Sequence, residues 1–200
     1  MGWQWSESAR NYTDSSTGDV ISKDELAALQ ADFVAKMGDQ FRATATDLYN
    51  QGASPDEWEA ALRPIVDRTQ AIGYQLARGG SQAMSEADWS AVSTLISAQY
   101  DYLNAFAQDA GTGQLTEQEA ADRAAMYGDA GRGAYASGLG AAWDISFPVD
   151  IPVHAGCRCS WSVESGDDGR VKAYWVAAMP CPICADYEAQ YNPYDPATGD

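Results

Sequence analysis

The chain has 200 residues, enough for one domain or for one domain with a small appendage. Hydrophobic residues make up 46% of it, and 29 acidic against 12 basic side chains give a formal net charge of −17. This acidity argues against non-specific nucleic-acid binding and against docking on an anionic membrane, and no apolar run approaches the roughly 20 residues of a membrane span.

Residues 1–21 are polar and rich in Ser, Thr, Asp and Gly, so we expect an irregular N-terminal arm. The first residues lack the basic and apolar segments of a signal peptide, which favours a protein kept in a reducing cytoplasm. Trp3, Trp5 and Tyr12 are unusual in a disordered tail. They could anchor the arm either on its own domain or on a partner subunit.

Residues 22–143 predict a helical domain of four antiparallel helices, each with a start signal and an apolar stripe. The expected bounds are about 22–49, 54–78, 85–110 and 116–139. Pro64 lies inside the second helix and should kink it, and Gly79-Gly80 should end that helix. The stripe of the third helix consists of Trp89, Val92, Leu95, Ile96, Leu103 and Phe106.

The fourth helix is rich in alanine and glycine, and this lets another helix approach closely. Each interior glycine costs about 1 kcal/mol relative to alanine, so a packing reason is expected for them. Two interpretations stay open. The small residues pack within one bundle, or they pack on a neighbouring subunit, which would make a homo-oligomer.

All four cysteines and the only histidine lie within residues 154–184, spaced H-x2-C-x-C-x21-C-x2-C. Between the two cysteine pairs, Ser160–Glu164 and Arg170–Val176 alternate apolar and polar residues around a Gly-Asp-Asp-Gly turn, which predicts a β-hairpin. An antiparallel hairpin brings its two ends together, so both pairs could reach one tetrahedral zinc ion. The candidate ligands are His154, Cys157, Cys159, Cys181 and Cys184.

Three explanations of the cysteines are open: chance clustering, two disulfides and a structural zinc site. Cys157 and Cys159 are too close to bond each other without strain, so two disulfides would both have to cross the spacer. We favour zinc bound by the four cysteines. His154 could replace one of the first pair or donate a hydrogen bond to a ligand. The spacing leaves the choice among the five residues open.

Several stretches resemble the minor head proteins of tailed phages, also called head morphogenesis proteins. The similar stretches cover about residues 70–194: they are 79–89, 99–106, 123–127, Cys157–Trp161, Tyr174–Val176, Cys181–Cys184 and Asn192-Pro193. The resemblance implies a component of the virion or prohead that acts during capsid assembly, often near the portal, without known catalysis. Its expected partners are the portal protein, the major capsid protein, or both.

A zinc-dependent nucleobase deaminase is the rival among enzymes, because its H-x-E and P-C-x-x-C motifs have a similar separation. In this chain Gly156 stands where that signature needs its proton-transferring glutamate. The extra Cys-x-Cys would also close a site that catalysis needs open. A zinc-stapled adaptor that binds a host or phage protein is the other alternative.

The sequence therefore predicts a mainly α protein, a four-helix antiparallel bundle with a small zinc-stapled β-hairpin near its C-terminus. The expected segments are an arm (1–21), the helical domain (22–143), the zinc-binding element (144–194) and an acidic tail (195–200). We expect a structural zinc ion, no catalytic residues, and a location in the virion or prohead, after assembly in the host cytoplasm.

Overall fold

The structure is a computed structural model that describes residues 3–6, 11–14, 17–21, 23–148, 160–165, 170–176 and 182–199. Its helices are α1 (Lys23–Gln51), α2 (Pro55–Arg78), α3 (Glu86–Gly111), α4 (Glu117–Trp143) and α5 (Pro182–Tyr191). Its strands are β1 (Trp3–Ser6), β2 (Asn11–Asp14), β3 (Val20–Ile21), β4 (Ser160–Ser165) and β5 (Val171–Val176). The prediction of a mainly helical, closely packed bundle is confirmed.

The capping residues predicted at the starts of α2 and α4 form the expected hydrogen bonds. The Glu57 carboxylate accepts hydrogen bonds of 2.8 Å from both the N–H and the hydroxyl of Ser54. Glu119 accepts the same two bonds from Thr116, at 2.9 and 2.7 Å. These bonds satisfy donors that the first helical turn leaves without a partner. The predicted cap of α1, Ser22, lies outside the described residues.

Helix α4 is the centre of the bundle, because it packs along both α1 and α2, whereas α3 packs mainly against α2. Gly38 on α1 faces Gly128 on α4, and Phe33 faces Gly131, so the two helices run in opposite directions. Helix α2 follows α1 after a short turn and therefore runs parallel to α4.

The small residues of α4 are needed because helix backbones touch at these points. A Cβ atom added at Gly128 would lie 2.5 Å from the backbone nitrogen of Gly38. One added at Gly73 would lie 2.5 Å from the carbonyl oxygen of Gly131. Both contacts lie within one chain, so these glycines fit the first of the two interpretations, packing within the bundle.

Residues 1–21 contain three short strands, so the expectation of an irregular arm is wrong for these positions. The strands form an antiparallel sheet of order β1-β2-β3, with Trp5 opposite Tyr12 and Tyr12 opposite Ile21. The alternation of apolar and polar residues in Trp3-Gln4-Trp5 is typical of a strand. The polar composition of residues 1–21 nevertheless favoured the prediction of an irregular arm. The side chains of these aromatic residues are not described, so their role as anchors stays a prediction.

Two large clusters of buried side chains fill the molecule. One lies between α1, α2, α3 and α4, where the rings of Trp58 and Phe106 meet edge to face at 5.6 Å. The other joins α1, α2 and α4 to the β4–β5 hairpin. The hairpin thereby shares a core with the helices, whereas the sequence predicts a separate zinc-binding element at 144–194.

Candidate metal centre

The five candidate ligands lie at the edge of what the structure describes. His154, Cys157, Cys159 and Cys181 fall outside the described residues, and Cys184 lies in α5 with its side chain not described. Among the described side chains, no group of three or more His, Cys, Asp or Glu residues could hold a metal. The described segments that lead to these residues are β4, β5 and α5.

The predicted hairpin is present, and its register determines where these segments start. Strand β4 begins at Ser160, directly after Cys159, and pairs antiparallel with β5 so that Ser160 lies opposite Val176. Paired Cα atoms in such a ladder are only about 5 Å apart. Cys181 follows Val176 by five residues, which span at most about 17 Å, so both cysteine pairs can reach one point beside this end of the hairpin.

Helix α5 places the last cysteine near a helix start. The helix begins at Pro182, and Cys184 therefore lies in its first turn. Proline fits this first position because its missing N–H would have no partner there. A negatively charged sulfur is stabilised near the positive N-terminal end of a helix dipole.

An aromatic cluster docks the hairpin on the helices. Trp161, Val163, Ala173 and Trp175 are all buried, in one cluster with residues such as Tyr135 on α4. The Trp161 ring stacks on Phe147 at 5.0 Å and meets the Trp175 ring edge-on at 5.1 Å. Aromatic pairs of this kind contribute roughly 0.5–1.5 kcal/mol beyond the area they bury. This packing therefore stabilises the hairpin independently of any metal ion.

The chain after α5 completes the sheet. The Asn192 side chain accepts a 2.6 Å hydrogen bond from the backbone N–H of Trp175 and donates a 2.9 Å bond to its carbonyl oxygen. Ala173 and Tyr194 exchange two backbone hydrogen bonds of 2.8 Å. Residues 192–194 thus cover the outer edge of β5, and this contact fixes the helix that carries Cys184.

The chemistry of the donors fits a zinc ion. Cysteine and histidine are the ligands of structural zinc sites, and five candidates exceed the four that such sites take. Next to the cysteine-bearing segments, the indole Nε1–H of Trp175 is buried without a hydrogen-bond acceptor. Buried donors of this kind usually have a partner.

A second polar cluster, which the sequence analysis did not identify as a group, joins the end of α2 to the start of α3. Asp88 is only 4% exposed, and its carboxylate accepts bonds from the Ser85 N–H and hydroxyl at 2.8 and 2.7 Å. The Tyr74 hydroxyl donates to it at 3.0 Å, and Arg78 forms an ion pair with it at 3.3 Å. The signal for this group was the capping sequence Ser85–Asp88.

The electrostatics of this cluster indicate a structural role. Burial raises the pKa of Asp88, but the hydrogen bonds from Ser85 and Tyr74 and the charge of Arg78 outweigh burial and lower that pKa below its usual value. Burial, together with the bond to Asp88, raises the pKa of Tyr74 to about 12. Both carboxylate oxygens of Asp88 already have partners, whereas Nη1 of Arg78 is buried without a hydrogen-bond partner among the described residues.

The outer face of α3 carries few charges. Asp101 is the only charged residue between Trp89 and Gln108. Trp89 is 43% and Tyr102 67% exposed, so the prediction that Trp89 faces the core is wrong. The hydroxyls on this face bond to carbonyl oxygens four residues earlier, with donor–acceptor distances of 2.9–3.1 Å; they belong to Ser93, Thr94 and Ser97.

Comparison of the chain with protein-family models, with curated proteins and with solved structures found no match. Within the described part of the chain, no helix is both long and apolar enough to cross a membrane.

Proposed function

We propose that this chain is a structural protein of the tailed-phage head, of the minor head or head morphogenesis kind, and that it acts in capsid assembly. The observation that carries the proposal is the β4–β5 hairpin, which lies between the two cysteine pairs and has its two ends together at Ser160 and Val176. The motifs of the resemblance flank this hairpin. The proposal assigns no catalytic role to any residue.

The contacts of the C-terminal region give a physical reason for its short motifs. Tyr174–Val176 and Asn192-Pro193 are separate stretches of the resemblance, and Asn192 binds both backbone groups of Trp175. Gly79, in another stretch, ends α2 in a left-handed conformation with φ of 86°. The Asn192–Trp175 bonds and the helix end at Gly79 fix the positions of neighbouring elements. Such fixed positions agree with a structural protein that acts in assembly.

In this proposal zinc acts as a staple. Cys157, Cys159, Cys181 and Cys184 would hold it, with His154 as the substitute ligand or the donor to a ligand. When bound, the metal ion joins the segment before β4 to the start of α5. Structural zinc can contribute on the order of 10 kcal/mol to the folding of a small unit. Here it would add to the aromatic docking of Trp161 and Trp175.

The outer face of α3 is the surface we expect to contact a portal or major capsid subunit. Tyr102 and Trp89 are exposed at opposite edges of this face, and aromatic residues are enriched where proteins bind each other. A net charge of −17 repels an acidic partner over most of the surface, so a face with one charge is the easiest to bury. The same face could serve a homo-oligomer.

Co-expression with the portal and major capsid proteins of the same genome tests this function. We expect the protein to co-purify with one of them and with proheads, and Tyr102→Arg to weaken that binding. The matched control is Lys36→Ala on the charged outer face of α1, where Lys36 forms an exposed ion pair with Asp32. Binding to neither phage protein, with stable binding to a host protein, would favour the adaptor alternative and contradict the proposal.

A further inference from the structure

Helix α3 carries a second apolar stripe beside the one that it buries. Its buried side chains include Val92, Leu103 and Phe106, but no side chain between Val92 and Leu103, a stretch that the structure describes in full, is buried. On the adjoining side of the helix lie apolar residues spaced four, three, four and three positions apart: Ala91, Leu95, Ala98, Tyr102 and Ala105. At about 100° per residue they fall within an arc of about 80°. This is the spacing with which one helix packs along another.

The Ala91–Ala105 stripe is largely open to solvent. Tyr102 is 67% exposed, Ala98 and Ala105 are also exposed, and the remaining two residues are half-buried. The next residue at the same spacing, Asp109, forms a 2.7 Å ion pair with Arg123 of α4. The stripe therefore lies on the side of α3 that faces α4, and it is exposed because α3 packs mainly against α2.

The stripe has no charge of its own, on a chain whose copies repel each other. A net charge of −17 makes most surfaces of two copies mutually repulsive. Residues 89–100 are all uncharged, and the first charged side chain after them is Asp101. Two copies can therefore approach through this stretch with less repulsion than through the charged parts of their surfaces.

The order of large and small residues makes the stripe complementary to itself when the helix direction is reversed. Two copies of α3 can lie antiparallel with Leu95 opposite Ala98 of the second copy. Tyr102 then lies opposite Ala91 of the second copy, and a two-fold axis repeats both contacts. Each of the four layers pairs one large with one small side chain, an arrangement that lets facing helices interdigitate. The stripe therefore fits a second copy of itself.

Asp101 distinguishes this register from its nearest alternative. Placing Tyr102 opposite Ala98 would also pair large with small residues, but it would bring the two Asp101 residues within about 3 Å along the helix axis. With Leu95 opposite Ala98 they are nine residues, or about 14 Å, apart along the axis, which exceeds the Debye length of about 8 Å at physiological salt. Like-charge repulsion therefore favours the register with Leu95 opposite Ala98.

We propose that the protein forms a two-fold symmetric dimer through the Ala91–Ala105 stripe, with the two α3 helices antiparallel. Four layers of side chains make a small interface, so we expect a weak dimer with a Kd on the order of 10 μM. Trp89 lies on the opposite edge of the outer face of α3, and the pairing leaves that edge for a portal or capsid subunit. The dimer itself does not depend on the phage assignment.

Sedimentation equilibrium of the full chain, at concentrations from about 1 μM to about 1 mM, tests the dimer. Ala98→Glu and Ala98→Lys each place two like charges about 4.5 Å apart along the axis at the centre of the pairing. Both should raise the dimer Kd at least about 10-fold, although they change the net charge in opposite directions. An equimolar mixture of the two variants should restore the dimer, because unlike charges then meet.

Ser97→Glu is the matched control, because it adds the same charge at an exposed position about 120° away from the stripe. It should change the Kd less than about 2-fold. Ala98 is exposed, so both of its variants should keep the wild-type circular dichroism spectrum.

A wild-type chain that stays monomeric up to about 1 mM would overturn the inference. It would also be overturned if the Ala98 variants weakened the dimer no more than Ser97→Glu, or if their mixture dimerised no better than either variant by itself. None of these results would contradict the proposed phage function, which co-purification with the portal and major capsid proteins tests separately.

Discussion

Replacing Gly128 by alanine tests whether α4 lies directly against the backbone of α1. The new Cβ atom would lie 2.5 Å from the nitrogen and 2.7 Å from the Cα of Gly38. Favourable contacts need about 3.5–4.0 Å, so the overlap is about 1 Å, and backbone atoms cannot rotate away. Overpacking of this kind costs about 3 kcal/mol, and the higher helix propensity of alanine offsets about 1 kcal/mol of it. The expected net loss in unfolding free energy is about 2 kcal/mol.

Gly38→Ala is the matched control, because it adds the same methyl group to α1, on the other side of the contact between α1 and α4. Its Cβ would have the carbonyl oxygen of Ala125 as its neighbour at 3.5 Å, an ordinary contact. The propensity gain then remains, about 1 kcal/mol, which for a chain of this size raises Tm by about 2–4 °C. Gly128→Ala should lower Tm by about 4–8 °C.

Thermal melting followed by circular dichroism at 222 nm measures both variants against the wild type. If Gly128→Ala melts at or above the temperature of Gly38→Ala, the two helices are not packed backbone to backbone, and the central position of α4 is wrong.

Three further changes test other parts of the structure. Asp88→Asn should cost about 3 kcal/mol at pH 7, because it leaves the mostly buried Arg78 without its counter-charge. The folded pKa of Asp88 lies below its unfolded value of about 3.9, so its contribution is complete above that value and is lost as pH falls through the folded pKa. Urea titrations should therefore show the gap between wild type and variant narrowing below about pH 4, and a constant gap would contradict this. Asn192→Ala removes both bonds to Trp175 and should cost about 2 kcal/mol in urea unfolding, whereas Asn104→Ala, which loses one exposed 3.3 Å bond, should cost under about 0.5. Cys181→Ser should lose the metal and the near-ultraviolet signal of the hairpin tryptophans while the helical signal persists; unchanged metal content and melting would argue against the staple.

The start of a helix depends on capping residues close by in the sequence, and this is why the helix starts could be predicted. Ser54 and Thr116 each precede a glutamate at the position that closes a capping box, and α2 and α4 start directly after them. The end of α4 is harder to predict, since the helix continues from about 139 to Trp143. Its last turns are buried against the hairpin cluster, and such tertiary contacts extend a helix beyond its local stop signals.

Other features depend on contacts between distant parts of the chain. Trp89 fits the apolar period of α3 but lies in its first turn, where it stays 43% exposed. The docking of Trp161 and Trp175 on α4 joins residues that are far apart in sequence. The zinc ligands themselves could be proposed only from spacing, because the choice among five candidates depends on how the segments around the hairpin converge.

Metal and thiol analysis of the purified, untagged protein tests the central claim most directly. The account predicts one Zn²⁺ per chain and four reduced cysteines that react with a thiol reagent only after a chelator is added. A metal-free protein in which the cysteines are paired as disulfides would contradict it.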